Sequence, residues 1–420
     1  MGDKKVVFVT GGAGYIGSHC VLELLNAGYD VVAIDNFANS VGKGDHAKSL
    51  ERVEKLTGKK ITFHQVDLLD EEALKKAFTE RKVDFVIHFA AMKSVGESME
   101  KPFLYYKNNL IGTINLLEVM KESGVKNLVF SSSCTVYGNP EKLPITEEHP
   151  IGRNLTNVYG RTKYFTEEML RDLSHTDPEW NFINLRYFNP VGAHPSGDIG
   201  EDPTKPYANI MPYIGQVAVG KKPSLIIFGN DYSTPDGTCV RDYIHIMDLA
   251  SGHVAAIRKL EKEHVKWRGY NLGIGKGLSV LALKDLFEEV SGKKVNFTIG
   301  PRRPHNVDLP VLYCDASLAM KELDWKPQVM DHKQMWQGVS VLQLVDAFQR
   351  SCGIKIPYEF KPRREGDIVA MYGNVSLAKD ELGWNAQCSL EQMCEDFWRW
   401  QSKNPNGYLT EEEVAAMNGK

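Results

Sequence analysis

Residues 10–17 read Thr-Gly-Gly-Ala-Gly-Tyr-Ile-Gly, and this glycine-rich stretch decides the fold. A short β-branched run at residues 5–10 leads into it, and the residues from 18 to 27 have the apolar spacing of a helix. Glycines at positions 11, 14 and 17 leave bare backbone, so a pyrophosphate can approach the N–H groups at the helix N-terminus. A tight turn with a helix cap is the alternative, but a glycine turn between strand and helix favours a dinucleotide site.

Acidic residues stand at the ends of the next two predicted strands. Residues 30–34 form the second strand, which ends at Asp35, eighteen residues beyond Gly17. A carboxylate there accepts hydrogen bonds from both ribose hydroxyls and repels a 2′-phosphate, so NAD is favoured over NADP. The third strand, at residues 61–66, ends at Asp67, which can either accept from the adenine amino group or cap the following helix.

Strands alternate with amphipathic helices along the first part of the chain. Helical patterns at residues 42–58 and 70–81 flank the third strand, a fourth strand at residues 84–90 is apolar except for His88, and a fifth occupies residues 127–132. We expect His88 to be a hydrogen-bonded core histidine. The alternation predicts an α/β fold with a parallel, doubly wound sheet of the Rossmann type.

A change of pattern after residue 186 predicts two domains. A further strand ends there, and loops rich in Gly, Pro and Asp follow it. We predict an NAD-binding domain at residues 1–186, with about 240–272 added to it. Residues 187–239 and 273–420 would form a smaller α/β domain that binds the substrate.

A tyrosine and a lysine stand four residues apart, at Tyr159 and Lys163. On a helix they share one face, so the ammonium can sit beside the phenol and make the phenolate easier to form. An oxidised nicotinamide ring would add the further positive charge that a phenol needs near neutral pH. Ser133 and Thr135 follow the fifth strand, at the edge where open α/β sheets bind ligands. A chance Tyr-Lys pair on a solvated helix is the alternative.

Two more polar residues lie near this edge of the predicted sheet. Lys93 comes just past the fourth strand and is placed to touch cofactor or substrate. Asn109 precedes a helix that runs to Gly124, and it is either a cofactor contact or merely the cap of that helix.

Composition excludes several classes of protein. A net charge of −4 with both signs interspersed gives no basic patch for nucleic acid or an anionic membrane. No run approaches the ~20 apolar residues of a membrane helix, and the first residues lead straight into a strand, so we expect a cytoplasmic location. Seven scattered cysteines without a C-x-x-C pair indicate reduced thiols rather than a disulfide frame or a zinc site, and we expect no metal.

The second half of the chain contains a repeat. Gly-Leu-Ser-Val-Leu at 277–281 recurs as Gly-Val-Ser-Val-Leu at 338–342, and Pro-Arg-Arg at 301–303 recurs at 362–364, both 61 positions later. The offset then falls to 59, so that Asp308 matches Asp367. The copies span about 277–330 and 338–389. We interpret them as a duplicated helix-strand-helix segment, or alternatively as two versions of one segment joined in the gene model.

Five stretches resemble motifs of the extended short-chain dehydrogenase/reductase family, and specifically of its members that epimerise UDP-sugars at C4. They are residues 10–17, 88–98, 131–138, 187–190, and 229–232 with 241–245. The likeness covers nearly the whole chain apart from one repeat copy. It implies tightly bound NAD and the interconversion of UDP-galactose and UDP-glucose. The sugar would be oxidised at C4, the 4-keto sugar would swing about its link to UDP, and hydride would return to the other face.

The resemblance also implies roles for individual residues. Tyr159 would be the base, Lys163 would hold the nicotinamide ribose, and Ser133, with Thr135 near it, would hydrogen-bond the sugar 4-oxygen. The implied cofactor contacts are Gly11, Gly14, Tyr15, Ile16, Gly17, Asp35, Asn36, Asp67, Lys93, Asn109, Tyr159, Lys163 and Tyr187. The implied substrate contacts are Lys93, Ser133, Asn189, Asn209, Ile210, Phe228 and Arg241. Arg241 has an alternative role in an ion pair with Asp242 or Asp236.

An R-R-x-G-D motif would complete the UDP site, and the chain offers two versions of it. The second copy keeps the motif intact, with Arg364 and Asp367, whereas the first has two extra residues between Arg303 and Asp308. We favour the second copy, although the first directly follows a predicted strand. In the second copy Met371 stands at a position where, by the resemblance, a bulky residue excludes N-acetylated sugars.

Two other functions fit parts of the sequence. A nucleotide-sugar 4,6-dehydratase would share Tyr159 and Lys163, but it would need an acid pair where residues 133–135 read Ser-Cys-Thr. A catalytically silent NAD-binding scaffold would result if the duplication distorted the UDP site. The resemblance further suggests a homodimer through helices of the first domain.

Overall fold

The fold was described from a computed structural model. It describes residues 4–202, 237–275, 339–361, 376–384 and 388–418, together with short pieces at 209, 212, 216, 221, 225–228, 234, 370–371 and 386. None of the helices in these ranges is both long enough and apolar enough to cross a membrane.

Sixteen strands and twelve α-helices lie in the described ranges. The strands are β1 (Val6–Thr10), β2 (Asp30–Asp35), β3 (Gly42–Lys43), β4 (His46–Ala47), β5 (Thr62–Gln65), β6 (Phe85–His88), β7 (Asn127–Ser131), β8 (Asn181–Tyr187), β9 (Asn189–Val191), β10 (Leu225–Phe228), β11 (Val240–Arg241), β12 (Tyr243–His245), β13 (Trp267–Leu272), β14 (Val339–Ser340), β15 (Tyr358–Lys361) and β16 (Ala370–Met371). The helices are α1 (Tyr15–Asn26), α2 (Lys48–Thr57), α3 (Glu71–Thr79), α4 (Val95–Glu100), α5 (Pro102–Tyr106), α6 (Gly112–Glu122), α7 (Val158–Thr176), α8 (Ile246–Lys262), α9 (Val341–Cys352), α10 (Ser376–Leu382), α11 (Leu390–Lys403) and α12 (Glu411–Asn418).

Seven of these strands form one parallel sheet in the order β13-β8-β7-β6-β1-β2-β5. The chain order reverses at β1, which pairs with β2 on one side and with β6 on the other. Apolar clusters cover both faces of the sheet, as expected of strands buried on both sides. The predicted Rossmann-type α/β fold is therefore confirmed.

The second half of the chain builds smaller sheets beside this one. Strand β10 pairs with β15, β11 lies between β14 and β16, and β12 pairs with β9. Helices α9 and α11 share a separate apolar cluster with these strands, in which Phe348, Phe397 and Trp400 are buried. Strand β13 instead lies at the edge of the large sheet. The division into domains stays a prediction.

Several predicted boundaries differ from the structure. Residues 42–47, expected within a helix, form the β3–β4 hairpin, because Gly44 turns the chain at a φ of +56° and the ring of Phe37 fills the space beside Gly42. Helix α2 therefore begins only at Lys48. The strands predicted at 84–90 and 127–132 end earlier, at His88 and Ser131. Asn109 does not cap the following helix, because it lies within a π-helical turn, Lys107–Ile111.

Candidate functional site

The glycine turn between β1 and α1 has no room for side chains. A Cβ on Gly17 would lie 2.2 Å from the carbonyl oxygen of Gly11. Gly11 itself has a φ of +68°, and a Cβ there would lie 2.8 Å from the nitrogen of Ala90. At Gly11 and Gly17 bare backbone therefore faces the space in front of α1, which begins at Tyr15 with Gly14 as its N-cap.

A cavity of about 330 Å³ opens at this turn, along the carboxyl ends of the parallel strands. Twelve of the predicted cofactor contacts line it: Gly11, Gly14, Tyr15, Ile16, Gly17, Asp35, Asn36, Asp67, Lys93, Tyr159, Lys163 and Tyr187. The cavity also has lining residues that were not predicted from the sequence, among them Ser94, Glu97, Tyr105, Glu201, Asp202 and Tyr408. Glycine backbone at one end and a tyrosine-lysine pair at the other give a shape that fits a dinucleotide.

Asp35 is buried at the end of β2, where it binds its own chain. One carboxylate oxygen accepts from the N–H of Ala13 at 3.1 Å, and the other accepts from the N–H of Phe37 and the hydroxyl of Ser40, both at 2.8 Å. Burial raises the pKa of this carboxyl, while these hydrogen bonds act in the opposite direction. Because the Ser40 hydroxyl can rotate, it can yield its place to a ribose hydroxyl.

Asp67 does not cap the following helix, so one of its two predicted roles is wrong, while the contact with adenine stays a prediction. One of its oxygens accepts from the N–H of Leu69 at 2.9 Å, which is a local turn contact. The other accepts from the side-chain amide of Asn36 at 2.9 Å, and both residues line the cavity. The helix α3 has its own cap, since the carboxylate of Asp70 accepts from the N–H of Ala73.

Tyr159 lies in the first turn of α7, next to Ser133. The side chain of Asn157 caps this helix by accepting from the N–H of Gly160 at 2.7 Å. Burial raises the pKa of the Tyr159 phenol, and a hydrogen bond with Ser133 partly opposes that effect. Burial dominates the pKa of this phenol, and the role of Lys163 in making it more acidic stays a prediction.

Lys163 lies one turn further along α7 and is almost fully buried. Its Nζ donates to the carbonyl oxygen of Ser131 at 2.5 Å and lies 5.8 Å from the centre of the Tyr159 ring. Burial lowers the pKa of Lys163 to about 7, although the charge of Glu167 acts to raise it. The hydroxyl of Tyr187 also bonds to this strand end, through the side chain of Ser131.

Thr135 and Asn109 stand behind the cavity wall. Thr135 lies in a 3-10 turn, Cys134–Tyr137, and its buried hydroxyl has no hydrogen-bond partner within the described part of the chain. Asn109 holds Met92 by two hydrogen bonds, of 2.8 and 3.0 Å, and also binds Thr162. It thus fixes the loop that carries Lys93 and does not itself line the cavity.

His88 is a core residue, as predicted. Its two ring nitrogens bind the hydroxyls of Thr10 and Thr113, at 2.7 and 2.9 Å. Burial lowers its pKa to about 3, so the ring is neutral near pH 7.

The predicted substrate contacts are only partly covered by the structure. The amide of Asn189 donates to the Asp242 carbonyl oxygen at 3.2 Å, and that of Asn209 donates to the Glu201 carboxylate at 2.9 Å. Arg241 lies on β11 opposite Met371, and Phe228 ends β10 opposite Lys361. Five predicted positions lie outside the described residues: Ile210, Arg364, Asp367, and the alternative pair Arg303 with Asp308.

The unpredicted cavity residues come together from distant parts of the chain. Glu201 follows the Gly-Pro-Asp-rich loops, and Tyr408 lies near the C-terminus, where the hydroxyl bonds to Gly200. The only signal for Glu201 was that it belongs to the loop region that follows the domain boundary. Tyr408 gave no signal, because its contact is set by tertiary packing.

Comparisons with known proteins agree with this arrangement. The family model of GDP-mannose 4,6 dehydratase matches residues 8–335. A UDP-glucose 4-epimerase from Homo sapiens is 50% identical over 96% of this chain and 99% of its own length, and one from Bacillus subtilis is 47% identical over 97% and 99%. A crystal structure of UDP-glucose 4-epimerase from Bifidobacterium longum in complex with NAD+ and UDP has a TM-score of 0.78 and 43% identity, covering 96% of this chain and 100% of that one. The chain therefore belongs to the UDP-glucose 4-epimerases of the extended short-chain dehydrogenase/reductase family.

Proposed function

We propose that this chain interconverts UDP-galactose and UDP-glucose by transient oxidation of the sugar at C4, with NAD as a retained cofactor. One observation carries the proposal. Tyr159 makes a hydrogen bond with Ser133, and Lys163 lies one turn away on the same helix. Both members of the tyrosine-lysine pair line the cavity that begins at the glycine turn.

The residues around this cavity fit NAD. The turn at Gly11, Gly14 and Gly17 would hold the pyrophosphate, Asp35 the adenosine ribose, and Asn36 with Asp67 the adenine end. Lys163 and Tyr187 would hold the nicotinamide end. Bound NAD supplies the hydride acceptor for C4 and returns the hydride later.

Tyr159 would take the proton of the C4 hydroxyl and give it back when the sugar is reduced again. Ser133 would hydrogen-bond the sugar 4-oxygen, with Thr135 near it. Because the pKa of Lys163 is about 7, its ammonium form is well populated near neutral pH and favours the phenolate beside it. These groups hold the reacting oxygen but leave the rest of the sugar ring free to turn.

The substrate would be held mainly through UDP, because a sugar that must present both faces cannot be gripped tightly. We assign this task to Asn189, Asn209, Ile210, Phe228 and Arg241, completed by Arg364 and Asp367. The strand pairing supports the second repeat copy. Strand β11, which carries Arg241, pairs with β14 and β16, and both belong to that copy.

A pair of substitutions separates the two copies. Arg364→Ala should weaken UDP binding by about tenfold or more in titration calorimetry, whereas Arg303→Ala should leave the Kd unchanged. The reverse result would assign the UDP site to the first copy.

The substrate range would follow from Met371, which is of intermediate bulk. We expect UDP-glucose and UDP-galactose as main substrates, with UDP-N-acetylglucosamine turned over less efficiently. Equal kcat/KM values for acetylated and plain sugars would contradict this expectation.

The chain would work as a homodimer. Large apolar side chains are exposed along α5, the π-turn after it, α6 and α7; the most exposed is Phe103, at 80%. The others are Leu104, Ile111, Ile114 and Phe165. Such a patch supports a helical interface between two copies. Phe103→Glu should shift the mass measured by light scattering from dimer to monomer, and an unshifted dimer would place the interface elsewhere.

We also assign the chain to the cytoplasm. The cysteines in the described ranges, namely Cys20, Cys134, Cys239, Cys352, Cys388 and Cys394, are free thiols, which suits a reducing compartment.

A coupled assay tests the proposed function against its two rivals. The purified chain should convert UDP-galactose to UDP-glucose, detected by an NAD-dependent UDP-glucose dehydrogenase. A 4,6-dehydratase would consume UDP-glucose and release a 4-keto-6-deoxy sugar, visible by its ultraviolet absorbance in alkali. A silent scaffold would bind NAD and turn over neither substrate.

A further inference from the structure

One carboxylate oxygen connects the two sides of the cavity. Oε1 of Glu201 accepts from the Nζ of Lys93 and from the side-chain amide of Asn209, each at 2.9 Å. Lys93 belongs to the loop after β6 of the large sheet, while Asn209 belongs to the region expected to bind UDP. Glu201 and Lys93 both line the cavity.

The backbone of Glu201 is held from behind. Its carbonyl oxygen accepts from the indole N–H of Trp400, which is completely buried in α11. A Cβ on the preceding Gly200 would lie 2.5 Å from the Trp400 ring, so the chain passes directly over that indole. Gly200 also bonds to the hydroxyl of Tyr408 through its N–H at 3.2 Å. The backbone of Glu201 is therefore held in place, and its carboxylate can orient the side chains of Lys93 and Asn209.

Lys93 needs such a point, because a lysine ammonium is a flexible cation with three donors. Its loop is held by Asn109 through Met92, but its side chain is 42% exposed, whereas that of Glu201 is only 7% exposed. The Glu201 carboxylate takes one of the three donors and leaves two for other acceptors. A charge-assisted hydrogen bond to a buried acceptor is stronger than a neutral one. Removal of the Glu201 charge should therefore weaken the hold on the Lys93 ammonium.

We propose that Glu201 is a positioning residue, which fixes the Lys93 ammonium at the cofactor side and the Asn209 amide at the UDP side in a constant mutual geometry. The inference deepens the proposed function and rests on it. An ion pair that only stabilised the fold would raise the melting temperature without affecting binding or turnover.

A thermodynamic cycle tests the proposal. Glu201→Ala should raise the Kd for UDP, measured by calorimetry, about tenfold. It should lower kcat/KM for UDP-galactose by at least the same factor. The NAD content per chain is measured after denaturation, so that the variants are compared at known cofactor occupancy. Glu201→Gln, which can still accept from Asn209, should recover most of the UDP affinity but not the full kcat/KM. In a Lys93→Met background, Glu201→Gln should lower kcat/KM by less than threefold, because the part of the effect that glutamine does not recover acts through Lys93.

Glu122→Gln serves as the matched control, since Glu122 binds Lys75 at the surface through the same kind of contact. It should change neither constant. The proposal is overturned if the effects of Glu201→Gln and Lys93→Met on kcat/KM multiply, or if Glu201→Ala lowers only the melting temperature. Should Glu201→Ala fail to fold, the same cycle with Glu201→Gln decides. An inactive wild-type chain that still binds UDP would count against the proposed function, and the UDP affinities of the variants would still test Glu201.

Discussion

In the proposed mechanism, the phenol of Tyr159 has to lose and regain a proton in an environment that opposes its ionisation. Burial raises its pKa, and the hydrogen bond with Ser133 compensates only in part. The nearest lysine is itself close to half deprotonated at neutral pH, because burial lowers the pKa of Lys163 to about 7. By the proposed mechanism, the phenolate depends on further positive charge, which the oxidised nicotinamide ring would supply, so proton transfer would be coupled to cofactor binding.

Replacement of this phenol should separate binding from turnover. Tyr159→Phe keeps the ring and removes the proton acceptor, so we expect kcat to fall by about 10²–10⁴-fold, the usual contribution of a general base. NAD content and the Kd for UDP should remain near wild type. A variant with full activity in the coupled assay would remove Tyr159 from the role of base.

Lys163 gives the fold a pH dependence of known sign. The folded pKa is about 7, while the unfolded side chain titrates near 10.5, so the unfolded chain binds more protons between these values. Wild-type stability should therefore rise with pH across this window relative to Lys163→Met, by at most roughly 1.4 kcal/mol per pH unit. Urea denaturation of both chains from pH 6 to 10, at equal NAD occupancy, measures the difference. A difference that is constant above pH 7 would contradict the buried, deprotonating lysine.

At the scale of elements, helix α7, which carries Tyr159 and Lys163, is held in place by buried polar contacts. The carboxylate of Glu167, one turn beyond Lys163, binds Arg186 of β8 in a fork with contacts of 2.9 and 2.6 Å. The hydroxyl of Ser132 donates to the same carboxylate at 2.5 Å. Arg186 is 2% exposed and Glu167 is fully buried. The catalytic helix is thus anchored to two neighbouring strand ends.

Loss of one partner in this pair should leave an uncompensated buried charge. We expect Arg186→Met to lower the free energy of unfolding by about 3–5 kcal/mol. Arg171→Met is the matched control on the same helix, because the pair of Arg171 with Glu168 is about one-third exposed, and its loss should cost under about 1 kcal/mol. Equal destabilisation of the two variants by urea denaturation would show that the buried pair has no special weight.

Elements whose signal is local were predictable, and those set by tertiary contacts were not. The glycine turn, the acids at the ends of β2 and β5, and the Tyr159-Lys163 pair depend on spacing along one strand or helix. The β3–β4 hairpin follows from the ring of Phe37 packing beside Gly42, and the π-turn at Asn109 accompanies its bonds to Met92 and Thr162. Glu201 reaches the cavity only because Trp400 and Tyr408 hold its backbone. No periodicity in the sequence encodes such contacts.

At the scale of the whole molecule, the repeat raises the question of which copy the fold uses. The described strands of the second copy, β14, β15 and β16, pair with β10 and β11, and its helix α10 packs on α8 and β13. The indole N–H of Trp384, just after α10, bonds to the Asp248 carbonyl oxygen and the Ser251 hydroxyl of α8. Within the described residues, the second copy thus makes the contacts expected of one helix-strand-helix segment.

The described residues on either side of residues 276–338 both contact residues 241–242. Before residues 276–338, the N–H groups of Ile274 and Gly275 donate to the carboxylate of Asp242, at 2.8 and 3.1 Å. After them, Val339 pairs with Arg241, the neighbour of Asp242. Because the residues before and after this segment contact neighbouring positions of the chain, the segment can be shortened without displacing the elements on either side. A shorter connection also costs less closure entropy.

We therefore expect a chain lacking residues 277–337 to fold and to keep the proposed activity. This deletion removes one repeat period of 61 residues and joins Lys276 to Gly338, so the local sequence around the junction stays in register. The melting temperature should be equal to or higher than that of the full chain, and kcat/KM for UDP-galactose should agree within about threefold, since the second copy supplies every described contact. Differential scanning calorimetry and the coupled assay measure both quantities. A deletion variant that folds but no longer binds UDP would show that the first copy contributes to the site, and it would reassign the arginine and aspartate of the UDP site to Arg303 and Asp308.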